Sequence, residues 1–93
     1  MVETDRDELR SAAETLANAR EAADDPDASE RLDACVERVE SMVEAERGPD
    51  HGRLARFEHT LRDEQDEVND EAATLIDETL AHVRAYRETV EGV

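Results

Sequence analysis

Apolar side chains recur every three to four positions along four stretches of this chain, and that spacing restricts it to helices. In the first stretch Leu9, Ala12, Ala13, Leu16, Ala19 and Ala23 share one helical face. Leu32, Cys35, Val36, Val39, Met42 and Val43 do so in the second, and Leu54, Phe57, Leu61 and Val68 in the third. The fourth carries Ala72, Leu75, Ile76, Leu80, Val83, Tyr86 and Val90. Alanine filling adds intrinsic helix propensity to the first stretch.

Residues between these stretches read as helix punctuation. Thr4 with Asp7 resembles a capping box, and Asp24-Asp25-Pro26-Asp27 ends the first helix because proline disfavours the α conformation in the residue before it. Pro26 also suits the first turn of the second helix, where its missing N–H costs nothing. Gly48 is a natural stop for that helix, Pro49 prevents continuation, and Asp50 can cap the third. Asn69-Asp70 is the candidate cap of the fourth helix, which Gly92 ends. No glycine or proline lies between Gly52 and Gly92. The apolar spacing from Leu54 to Val90 therefore also allows one long helix, giving three helices completed by dimerisation.

An internal repeat favours the break. A shift of 45 places Leu9, Ala12, Leu16, Ala23 and Asp24 on Leu54, Phe57, Leu61, Val68 and Asn69. A shift of 44, which treats Pro26 as an insertion, places Leu32, Val36, Val39, Met42 and Gly48 on Ile76, Leu80, Val83, Tyr86 and Gly92. Since Asp24-Asp25 must turn, its counterpart Asn69-Asp70 is expected to turn too. The expected fold is all-α: an up-down-up-down four-helix bundle of two repeated αα-hairpins. The whole chain, 1–93, is one domain, with hairpin one at 4–47, a linker at 48–52 and hairpin two at 53–91. A chain this short buries only roughly 60–65% of the surface its unfolded form exposes, so the core is thin.

The charge is extreme: 27 acidic residues against 11 basic ones give −16, and every basic residue is arginine. Such a surface repels itself in dilute buffer and is tolerated in high salt, where the Debye length falls to about 3 Å at 1 M. The absence of lysine along the whole chain reads as adaptation to a salt-rich cytoplasm. The rival reading is an acidic inhibitor or nucleic-acid mimic, which needs acid on one face only. Cys35 is the only cysteine, so no intrachain disulfide forms, and its apolar neighbours make it a core residue. No apolar run reaches the roughly 18 residues of a membrane span, and the first residues do not resemble a signal peptide, so a cytoplasmic protein is expected.

No catalytic pattern appears: there is no phosphate-binding glycine loop, Cys-x-x-Cys, His-Glu-x-x-His or serine beside a base. The Glu-x-x-His pairs of di-iron bundles are missing too. His59 with Asp63, and Glu78 with His82, have a spacing that suits a metal, although it equally suits surface ion pairs. Neither an enzyme nor a cofactor is expected. The informative feature is a basic island at 51–62, where Arg53, Arg56 and Arg62 face one glutamate. Folding the second hairpin brings this island level with His82, Arg84, Tyr86 and Arg87. The candidate binding residues are thus Arg53, Arg56, Phe57, His59, His82, Arg84, Tyr86 and Arg87. Their counterparts in the first hairpin include Glu8, Ser11, Glu40 and Val43. Arginine's bidentate fork suits phosphate or carboxylate. On the structural reading, the same arginines pair with Glu44, Glu46, Glu88 and Glu91 while their stems cover the core. Nucleic acid is disfavoured, since most of the surface repels phosphate.

At Gly48-Pro49-Asp50-His51-Gly52-Arg53-Leu54-Ala55-Arg56 and His82-Val83-Arg84-Ala85-Tyr86-Arg87 the chain resembles a family of small haloarchaeal helical proteins of unknown function. The resemblance implies a cytoplasmic helical protein and carries over no site residue. The expected function is a non-enzymatic helical interaction or adaptor module, working as a homodimer or with another protein. The alternative is a small bundle that binds an anionic ligand or a metal through the Arg/His/Tyr cluster.

Overall fold

Asp25 and Pro26 build the first turn as their chemistry requires. Asp25 takes extended backbone angles, and its Oδ2 accepts from the Ala28 N–H at 3.1 Å, while Pro26 opens the following helix. The computed structural model describes residues 3–45 and 51–91, with side chains for 7–45 and 51–88. The described residues form four helices: α1 (Glu3–Ala22), α2 (Pro26–Glu44), α3 (His51–Gln65) and α4 (Asp70–Glu91). The backbone is already helical where the Thr4–Asp7 capping box was expected, and the Thr4 side chain lies outside the described residues. The second helix ends sooner than the Gly48 stop predicts, because Ala45 turns to extended angles. Gly48, Pro49, Asp50 and Gly92 lie outside the described residues, as does the Val90 side chain. His51 and Gly52, expected in the linker, already belong to α3.

The chain breaks between α3 and α4, so the single long helix is ruled out. Asn69 explains why a stretch without glycine or proline turns here. Its backbone carbonyl starts α4 by accepting from the Ala73 N–H, but its side chain leaves its own helix. The Asn69 Oδ1 accepts from the Asp24 N–H at 3.1 Å, and its Nδ2 donates to the Ala22 carbonyl at 3.0 Å. The turn of one hairpin thus satisfies backbone groups at the end of α1, which an α-helix leaves without internal partners. Gln65 adds a local clamp, with its Nε2 donating to the Ala73 carbonyl and the Asp77 carboxylate, both at 2.9 Å.

The helices pack as an up-down-up-down bundle, measuring 39 × 19 × 18 Å. Neighbours are α1–α2, α3–α4 and α1–α4, while α2 and α3 barely touch. The core comprises Leu9, Ala12, Leu16 and Ala19 of α1 and Leu32, Cys35, Val36, Val39 and Met42 of α2. Facing them are Leu54, Phe57 and Leu61 of α3 and Ile76, Leu80, Val83 and Tyr86 of α4. Ala13, Ala23, Val43, Val68 and Leu75 are only half-buried and lie against this core.

Side-chain size explains why the two seams between the hairpins differ. Glu8 meets His82 of α4, and helical spacing puts Ala12 and Ala19 on that same side of α1; both are fully buried and have no atoms beyond Cβ, so the two backbones can approach closely. The 45-residue shift equates Ala12 with Phe57. Its ring is also fully buried, and it meets α2, where the Arg38 guanidinium lies 5.3 Å from the ring centroid. A phenyl ring in place of a methyl group separates α2 from α3. Long side chains bridge the wider seam: Arg31 Nε donates to both oxygens of Glu64 at 2.9 and 3.0 Å, and its Nη2 reaches Glu67 at 3.3 Å.

Replacing Asn69 with alanine removes both bonds between the turns and should lower stability by about 1–2 kcal/mol. Urea unfolding at fixed salt measures this, and Asn69→Asp, which keeps the acceptor but loses the donor, should not restore it.

Candidate functional site

Glu58 organises the part of the chain from which function was expected. It follows Phe57 in α3, one step round the helix from the apolar stripe, and it is 5% exposed. A carboxylate so placed needs a charged partner or hydrogen bonds to offset its lost hydration. Arg87 of α4 supplies both, donating from Nη1 to the Glu58 Oε2 at 2.8 Å. Arg62, one turn along α3, brings its Nη2 to 3.7 Å from the other oxygen. The basic island therefore holds a charge pair that ties α3 to α4. Glu58 was not foreseen as an arginine partner. The 45-residue shift contains the missing signal, since it equates Glu58 with Ala13, a stripe position of the first helix.

The eight expected binding residues are divided among several contacts. Phe57 is buried at the α2–α3 seam under Arg38, and Tyr86 lies in the core at 5% exposure, so neither ring offers a face to solvent. His82 turns to α1, where its Nδ1 is 3.1 Å from the Glu8 Oε1, rather than to Glu78. His59 is exposed, with its Nε2 3.5 Å from the Asp63 carboxylate in an i, i+4 pair. Arg87 is half-buried on Glu58, while Arg53, Arg56 and Arg84 are exposed. Among the described residues no group of three His, Cys, Asp or Glu side chains could hold a metal ion. No described helix is long and apolar enough to cross a membrane.

Cys35 is buried at the seam occupied by Arg38 and Glu64. Burial pushes its thiol above the ordinary range, Arg38 pulls it back, and Glu64 adds to the rise. That environment suits a small apolar core group and not a nucleophile. Elsewhere, the Arg20 Nη1 donates to Asp33 at 2.6 Å and links α1 to α2 near their turn.

A concave feature lies on the outer face of the other hairpin. It is an open groove of about 470 Å³ between α1 and α2. Half-buried Ala13, Ala17 and Val43 form its floor. The exposed side chains of Arg10, Glu14, Glu40 and Glu44 line its rim.

Residues 4–89 match the model of a family of unknown function, DUF7553. The chain belongs to that family. Its match runs through both hairpins and the segment joining them, and it assigns no activity. No curated protein and no solved structure matches the chain.

Glu58→Gln removes the charge that accepts from half-buried Arg87 at 2.8 Å and should destabilise the protein by about 2–4 kcal/mol. Arg62→Gln removes only a long, exposed contact and should cost about 0.5 kcal/mol or less. Denaturant unfolding of both variants in one buffer provides the comparison.

Proposed function

We propose that the protein is a non-enzymatic helical interaction module of a salt-rich cytoplasm, working as an adaptor for a protein partner or as a homodimer. The observation carrying this reading is the outer face of the first hairpin, where Ala13, Ala17 and Val43 form an apolar floor between α1 and α2 that is half-buried by the described residues. Covering such a strip with another protein removes apolar surface from water, at roughly 25 cal/mol per Å². The placement of the polar side chains favours the same reading. Glu58, Arg87, His82, His59 and Arg38 are engaged in contacts within the fold, and these engagements make a concerted catalytic arrangement of them unfavourable.

A salt-rich setting follows from −16 charges on a body 39 Å long and less than 20 Å across. At low ionic strength these carboxylates repel one another over a Debye length of about 30 Å, close to the length of the bundle. The haloarchaeal character of the resembling proteins points the same way. The second reading, binding of a phosphate or carboxylate, rests on Arg56 and Arg84. Both are exposed on the second hairpin and make no ion pair among the described residues.

Circular dichroism should show helicity low in dilute buffer and rising to a plateau by molar KCl, while full helicity without salt contradicts the salt-rich setting. At the plateau, sedimentation and cross-linking should reveal a species larger than the monomer or a defined partner. Only monomer, with no partner cross-linked, contradicts the module. A rise in melting temperature with phosphate or citrate that is lost in an Arg56→Gln/Arg84→Gln variant would favour the second reading.

A further inference from the structure

The two hairpins treat one position in opposite ways. In the second hairpin, Glu58, Arg62 and Arg87 form a charge cluster that links α3 to α4, with Arg87 at 2.8 Å and Arg62 at 3.7 Å from the Glu58 carboxylate. The 45- and 44-residue shifts equate these three residues with Ala13, Ala17 and Val43. Those are the floor of the open α1–α2 groove, where the side chains are too short to cover the cleft. The rim supplies Glu14, Glu40 and Glu44, while Arg10, its only cation among the described residues, already contacts Asp7 at 2.8 Å. The first hairpin thus presents an apolar floor and carboxylates where the second holds arginines on a carboxylate.

We propose that the α1–α2 groove docks a basic amphipathic helix of a partner protein, whose apolar stripe covers Ala13, Ala17 and Val43 and whose arginines engage Glu14, Glu40 and Glu44. This inference rests on the interaction-module reading and adds a surface and a partner class to it. An apolar stripe at i, i+3, i+4 spacing suits a groove between two helices. Arginine suits the rim because its stem covers apolar surface while its fork meets carboxylates in pairs. Phosphate-bearing ligands are repelled by the same rim. A second copy of this chain fits less well: among the described exposed arginines, Arg10, Arg31 and Arg62 are held in ion pairs and Arg38 lies over Phe57, while Arg53, Arg56 and Arg84 lie on the opposite hairpin, so contacts from the groove to these last three propagate from copy to copy and do not close a dimer.

The test uses the full chain in the lowest KCl concentration that gives full helicity. The probe is a fluorescent synthetic helical peptide with a leucine stripe flanked by arginines at i, i+4 spacing, followed by anisotropy. A same-charge peptide with the leucines replaced by serine serves as control. Ala17→Arg, which imitates Arg62 and closes the groove, should weaken binding at least about tenfold, as should Glu14→Gln/Glu40→Gln. Glu71→Gln/Glu78→Gln removes the same charge from the exposed face of α4 and should change binding by less than about twofold. The serine peptide should bind far more weakly than the leucine peptide.

Failure of the leucine peptide to bind overturns the proposal. So does binding indifferent to Ala17→Arg in a variant of native helicity, or equal losses from both glutamine pairs. Self-association that Ala17→Arg abolishes would assign the groove to a second copy instead. These outcomes remove the groove's partner while leaving a protein with self-association or a cross-linked partner an interaction module. Monomer without any partner removes both.

Discussion

The fold depends on how closely α1 can approach α4. Ala12 and Ala19 put only methyl groups between the two backbones, so most of the contact between hairpins is made at that seam. The first and last helices of the bundle are thereby joined directly, and Asn69 fastens the same seam at one end. The opposite seam cannot close equally, because Phe57 stands where the shift places Ala12. Arg31 and Arg38 span it, and their long stems and broad charged heads tolerate a variable gap. A thin, mostly aliphatic core results, close-packed at α1–α4 and looser at α2–α3.

Charge within this frame has two separate uses. A few charged or polar side chains are paired inside or at the edges of the bundle: Glu58 with Arg87, Glu8 with His82, Arg20 with Asp33 and Arg31 with Glu64. Most of these link residues far apart in sequence, so they select which helices are neighbours, although the exposed ones add little stability. The remaining carboxylates, in excess, surround the body. Bulk salt screens that excess, whereas the Glu58–Arg87 pair, shielded by its burial, is screened much less.

Much of the architecture was legible in the sequence because helix stripes and caps are local. Leu9, Leu16, Leu32, Val39, Leu61 and Ile76 fall in the core as their spacing indicates, and Asp25 and Pro26 start α2 as their chemistry requires. The break before α4 could be found only by comparing the two halves. Its physical cause, an asparagine side chain bonded to the other hairpin's turn, is not local. Glu58 was legible only through the same comparison, which sets it on Ala13; taken alone, a glutamate in a charged stretch looks solvated until an arginine from another helix covers it. The eight-residue cluster was drawn from level along the bundle alone. Phe57 and Tyr86 turned inward and His82 turned toward α1, since the direction around each helix decides contacts as much as height does. The groove left no sequence mark, being a space that short side chains do not fill.

The most direct test of the unequal seams is native-state amide hydrogen exchange at a KCl concentration that keeps the chain fully helical. Helices held by close backbone packing exchange only through global unfolding, while those held by bridging side chains open locally at lower free energy. The account predicts that core amides of α1 and α4 are the most protected and that those of α3 exchange first, independently of global stability. Equal protection in all four helices, or early exchange of α1, would contradict it.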